Sequence, residues 1–161
     1  MSGREEAFSL IELMIVVAII LVIAAIAIPS LLRSKIAANQ ASAIESLRVI
    51  GTSEVTYAAT YGDGYSTTLA SIGPIPSGSF ATASAAGLID DLLASGSKSG
   101  YTFTYTPTLL DSTRRYNGYT VLANPIIAGT TGADFYYEDE THLIRTNATA
   151  PAGSTDSCVA E

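Results

Sequence analysis

The sequence predicts an α+β chain: one long N-terminal helix, hydrophobic in its first half, packed on a small antiparallel sheet of three to four strands. Three observations carry this expectation. Residues 13–28 read LMIVVAIILVIAAIAI, without one polar side chain. From Ile36 onward apolar residues recur at helical spacing until Tyr61-Gly62-Asp63-Gly64 ends the pattern. Beyond it the chain turns rich in Gly, Ser, Thr and Tyr, and residues 101–107 alternate aromatic residues with Thr at the two-residue period of a strand.

The elements follow in order. Residues 1–7, MSGREEA, form a short polar leader, and residues 8–32 are apolar except for Ser9, Glu12, Pro29 and Ser30. As a helix the apolar stretch is roughly 37 Å long, enough for a bilayer core of about 30 Å. Residues 33–62 continue it as an amphipathic helix. Ile36, Ala43, Leu47, Ile50 and Val55 suit an inward face, and Arg33, Lys35, Asn39, Glu45, Arg48 and Glu54 suit polar faces. The predicted helix runs from Ser9 to Tyr61, with a break or kink at Pro29, which lacks a backbone donor and crowds the preceding turn.

Residues 63–161 form the predicted head. Residues 87–96, GLIDDLLASG, read as a short helix with Leu88, Ile89 and Leu92 inward. Strands are expected at 101–107 and 119–123, with Asn117-Gly118 as the turn between them. Residues 135–137 and 143–145 complete a C-terminal hairpin.

Composition excludes several functions. The net charge is −7, and Arg114-Arg115 is the one basic cluster, so wholesale binding of a phosphate backbone is not expected. The single cysteine, Cys158, allows no internal disulfide. His142 is the only histidine, and neither a nucleophile elbow nor a phosphate-binding Gly-Lys loop occurs. The chain is not expected to be an enzyme.

Glu12 is the informative residue. A carboxylate within an apolar helix costs several kcal/mol unless it is paired or stays near the interface. An ordinary signal peptide does not fit: the apolar run is too long, the leader carries Glu5 and Glu6, and no small-residue cleavage site separates the run from the amphipathic part. A plain membrane anchor, or an anchored sensor that never polymerises, leaves Glu12 unexplained. Cleavage after Ala7 would create an α-amino group on Phe8, four residues before Glu12. Such an amine could neutralise Glu12 of a neighbouring chain.

The string Ala7-Phe8-Ser9-Leu10-Ile11-Glu12-Leu13, behind a short polar leader and ahead of a long apolar run, resembles the prepilin cleavage motif of bacterial type IV pilins and type II secretion pseudopilins. The resemblance implies a type IV pilin-like fold and a prepilin peptidase that cuts between Ala7 and Phe8 and methylates the new amine. It implies that Phe8 and Glu12 guide subunit assembly, and that Pro29 is the helix-loosening proline. The family usually places Gly before the cut, where this chain has Ala7. The expected product is a structural subunit of a type IV pilus, a homo-oligomeric helical filament. The precursor would lie in the inner membrane, served by pilus or secretion assembly machinery, and the assembled subunit at the cell surface. The alternative is a major pseudopilin in a periplasmic filament. No nucleic-acid partner and no cofactor are expected, with one exception: Asp134, Glu138, Asp139 and Glu140 are hard oxygen ligands that could hold calcium. The resemblance supports that idea, since major pseudopilins bind calcium in their C-terminal region; a solvated acidic turn is the plainer reading. Asn147-Ala148-Thr149 fits the glycosylation acceptor pattern, with a Thr-rich surface strand as its alternative.

Overall fold

The computed structural model describes residues 9–159. The order of elements is helix first and sheet after, the α+β, type IV pilin-like layout that the sequence implies. The chain divides into two compact units, Met1–Lys35 and Ile36–Glu161.

Helix α1 spans Leu10–Tyr61. It ends where Gly62 takes a left-handed φ of 71° and returns its N–H to the Ala58 carbonyl at 3.0 Å. That conformation costs glycine least, so Tyr61-Gly62 stops the helix as its sequence suggests. In the first unit nothing from residue 9 to residue 35 is buried, although most of these side chains are Leu, Ile or Val.

The break expected at Pro29 is absent from the single chain: the helix continues through it. Proline deletes only the bond that would reach the Ala25 carbonyl. A helix already propagating on both sides can lose that one hydrogen bond and remain helical.

In the second unit α1 buries Ala43, Ser46, Leu47, Ile50, Gly51, Ser53, Glu54 and Tyr57, steps of three and four along one face. Two assignments are corrected here. Val55 is 48% exposed, and Glu54, expected on a polar face, is fully buried. Glu54 lies four residues after Ile50, on the same stripe, whereas Val55 is rotated away from it.

Two one-turn helices follow, α2 (Leu69–Ile72) and α3 (Asp91–Ala94). The helix expected at 87–96 shrinks to α3 because the Asp90 side chain caps it, accepting from Leu93 N–H at 2.8 Å. The inward residues become Ile89 and Leu93. Leu92, expected inside, is 62% exposed.

The sheet has six antiparallel strands in sequential order: β1 (Ser97–Lys98), β2 (Tyr101–Leu110), β3 (Tyr116–Pro125), β4 (Phe135–Asp139), β5 (Arg145–Asn147) and β6 (Ser157–Cys158). Three to four were expected; the additional β1 and β6 are two residues each, too short to carry an alternation. Asn117-Gly118 is not the turn but lies within β3, opposite Thr108. The chain reverses at 111–115 instead. The Asp111 carboxylate accepts from the N–H of Thr113 and Arg115 and from the Thr113 hydroxyl, at 2.7–3.0 Å. Those bonds, the Thr113 hydroxyl first, hold its pKa down at about 2. Gly118 serves close packing: a Cβ there would lie 2.6 Å from Thr108 Oγ1. The last hairpin also shifts, with β5 at 145–147 rather than 143–145.

The inner face of the sheet presents Tyr101 and Phe103, then Tyr119, Val121 and Ala123, then Tyr136. These pack with Leu47, Ile50 and Tyr57 of α1 into one core. The aromatic–Thr alternation of β2 is thus a half-buried sheet pattern, with Tyr105 stacked on Tyr119 at 5.8 Å between ring centroids.

Candidate functional site

Ala7 and Phe8, the expected cleavage and methylation residues, lie outside the described residues. Glu12 is described, and its local role is specific. Ser9 precedes the first helical residue and Glu12 is the third, the S-x-x-E spacing of a capping box. Ser9 N–H donates to Glu12 Oε2 at 3.1 Å. The carboxylate thus satisfies one of the donors that every helix start leaves open, and it sits at the positive end of the helix dipole. The S-x-x-E spacing is a sequence signal for this cap, masked by the apolar residues around it.

Capping occupies one oxygen of Glu12. No Lys, Arg or His occurs from residue 9 to residue 32, and Arg33 is 21 residues further on, about 32 Å along a helix. Among the described residues Glu12 therefore has no cation in reach. Its surroundings are apolar side chains exposed by half or more, such as Leu10, Ile11, Leu13 and Ile15. The described chain contains one helix long and apolar enough to cross a membrane, and none of that stretch is buried.

The four carboxylates considered for calcium do not converge. Asp134 accepts from Gln40 Nε2 at 2.6 Å. Asp139 accepts from the N–H and hydroxyl of Thr141, stiffening the turn after β4. Glu140 lies in that turn. Glu138 points the other way, onto α1, and is 1% exposed. Among the described residues no group of three or more His, Cys, Asp or Glu could hold a metal. Within β4, strand alternation separates Glu138 from Asp139, since neighbours face opposite sides of the sheet; Asp134 and Glu140 lie outside the strand, before and after it.

Two carboxylates that the sequence places at the surface, Glu54 on a polar face and Glu138 in an acidic turn, are buried. Glu54 accepts from Ser66 N–H at 2.8 Å and from the Ser66 hydroxyl at 2.6 Å, tying α1 to the loop that follows it. Burial pushes its pKa up, against the lowering effect of the Ser66 bonds. Glu138 is the second. Its Oε1 lies 3.6 Å from His142 Nδ1, which in turn lies 3.4 Å from the Tyr119 hydroxyl. Its Oε2 is buried without a hydrogen-bond partner. Burial, then the neighbouring Asp139 charge, pushes the Glu138 pKa up to about 8. The signals were positional: Glu54 continues the Leu47–Ile50 stripe, and Glu138 shares a strand face with Tyr136.

Asn147 accepts from Thr149 N–H at 3.0 Å and Ala150 N–H at 3.2 Å, so the acceptor-pattern asparagine shapes its own turn. Cys158 is exposed and unpaired.

Residues 3–28 match the family model for the prokaryotic N-terminal methylation motif, the prepilin-type motif of type IV pilins and pseudopilins. The matched span contains Ala7, Phe8 and Glu12 together. No curated protein and no solved structure matches the chain.

Proposed function

We propose that the chain is a structural subunit of a type IV pilus, assembling through its hydrophobic helix into a filament at the cell surface. One observation carries the reading: a methylation motif leads directly into a helix whose apolar side chains are left unburied among the described residues. Such a surface needs lipid before assembly and other copies of itself after it. The motif points to a structural protein and to a prepilin peptidase as the enzyme that acts on it.

Assembly follows from the charges. Cleavage between Ala7 and Phe8 leaves 154 residues and removes Arg4, Glu5 and Glu6, a net of −1, so the net charge moves from −7 to −6. The new ammonium on Phe8 is an opposite charge for the free oxygen of Glu12 in an adjacent copy. The apolar side chains of 13–28 supply most of the contact area, and the ion pair sets the register, because a copy placed one turn off would bury two unpaired charges. Pro29 gives the packed helices a place to adjust: one carbonyl already lacks its partner, so a turn can melt there in the fibre at reduced cost.

Electron microscopy of material sheared from cells, with mass spectrometry of its N-terminus, tests this. Fibres whose subunits begin at an N-methylated Phe8 are expected. An intact Met1 or Ser2 in assembled fibres would refute the processing step. Filaments confined to the periplasm, with protein secretion lost on deletion, would assign the chain to the pseudopilins instead.

A further inference from the structure

The Glu138–His142 pair has no part in filament assembly as argued above, yet four features of the fold converge on it. Glu138 is buried against α1, and a Cβ on Gly51 would collide with its Oε1 and lie 2.7 Å from His142 Nδ1. Only glycine at residue 51 lets the pair sit there. His142 holds a left-handed φ of 59°, a conformation that few residues other than glycine adopt and that histidine tolerates better than most, between β4 and β5. Its N–H closes that turn on the Asp139 carbonyl at 2.9 Å. The pair lines a surface cleft of about 450 Å³ with Arg48, Thr52, Val55 and Thr56 of α1, so water and protons reach it.

We propose that Glu138 and His142 form a one-proton latch that holds the turn after β4 on α1 and releases it when that proton leaves. With one proton shared, the pair is either carboxylate beside imidazolium or carboxylic acid beside imidazole, and both are neutral in sum. Without it, a bare carboxylate is left buried with Oε2 unpartnered, and an uncompensated buried charge is strongly destabilising.

The surroundings offer little to replace the proton. On α1, Arg48 lines the cleft and Glu54 is committed to Ser66. On β3, the pKa of the Tyr119 phenol is pushed up by burial and then by Glu138 and Glu54, so it stays neutral. Beside the pair, Asp139 adds a like charge that opposes ionisation of Glu138. Linkage sets the sign. The folded carboxyl titrates at about 8 against 4.5 in the unfolded chain, so its stabilising proton is fully present below about 4.5 and lost as pH rises through about 8.

His142 is the only histidine, so the full chain in detergent, labelled at histidine, gives one imidazole resonance. That resonance should shift in a step near pH 8, where Glu138 ionises beside it. Amide exchange of residues 141–144 should accelerate through the same step, beyond its intrinsic dependence on pH. Glu138→Gln should abolish that step and keep those amides protected. No step near pH 8 in the unmutated chain overturns the latch, and that result needs no variant to fold. A step near pH 8 that survives in Glu138→Gln belongs to another group and overturns it too.

Discussion

Glu54→Ala should destabilise the head more than any other single change of a charged residue in α1 outside the apolar stretch. Glu54 and Ser66 are both fully buried, and the carboxylate satisfies both Ser66 donors. Truncation leaves the Ser66 N–H without a partner, while its hydroxyl retains the Thr68 carbonyl at 3.1 Å. One orphaned buried donor costs about 1–3 kcal/mol, and the space left by the missing side chain adds about 1 kcal/mol. Removal of a buried acid whose pKa is raised returns part of this near neutral pH. The net expectation is roughly 2–3 kcal/mol, or about 10 °C in Tm at roughly 4 °C per kcal/mol. Thermal unfolding of the full chain in detergent, followed by circular dichroism, measures it. A double-mutant cycle with Ser66→Ala should give a coupling of about 1–3 kcal/mol, because the two residues share one network. A loss below about 0.5 kcal/mol, or additive single mutants, would refute the claim that this contact ties α1 to its loop.

Gly51→Ala should destabilise the same unit. The new methyl group meets Glu138 and His142, and overpacking of about 1–3 kcal/mol outweighs the gain in helix propensity of about 1 kcal/mol, so a raised Tm would contradict the packing described. Calcium should leave Tm unchanged between millimolar calcium and chelator, since the four acidic residues of 134–140 face separate surroundings; a rise of several degrees would restore a calcium site and favour the pseudopilin. In fibres, a map should show α1 melted within one or two turns before Pro29, where the single chain is continuous, and unbroken helix from Ser9 to Ser34 would remove that role.

Helix α1 was readable almost to the residue because independent signals agree along it. An apolar run, an amphipathic stripe and a glycine stop all describe one element, and the result is Leu10–Tyr61. The sheet was readable where side chains alternate strongly, as in β2, and misread where a local competitor intervened. Asn117-Gly118 carries a strong turn signal, yet Asp111 gathers its donors six residues earlier and closes the hairpin first. The candidate sites failed in a related way. Glu54 was placed outside for its charge, although its position continues an inward stripe, and Ser66, the partner that makes burial tolerable, is 12 residues away in sequence. The acidic run at 138–140 looked like one cluster because its members are adjacent in sequence, but a strand sends adjacent side chains to opposite faces. Identity at each position could be read; the partner that decides a polar residue's fate is tertiary information.

Glu12 now has two explanations, and a pair of variants separates them. The capping box accounts for a glutamate at the third helical position without any filament, through its bond to Ser9 N–H. Assembly accounts for it through a charge on a neighbouring chain. Glutamine preserves the first and deletes the second, since it serves a capping box nearly as well as glutamate but carries no charge. Leucine deletes both and favours insertion into lipid. If capping were the whole role, Glu12→Gln would build fibres in normal number, and Glu12→Leu would lose about 1 kcal/mol at one helix end, which packing of the apolar stretch could absorb. If the pair sets the register, each subunit in a Glu12→Gln fibre buries an uncompensated ammonium, a loss of about 3–5 kcal/mol repeated at every contact. Both variants should then be made, inserted and cut at Phe8, yet yield few or no fibres by electron microscopy of sheared material. Normal fibres from Glu12→Gln would leave Glu12 as a helix cap and nothing more.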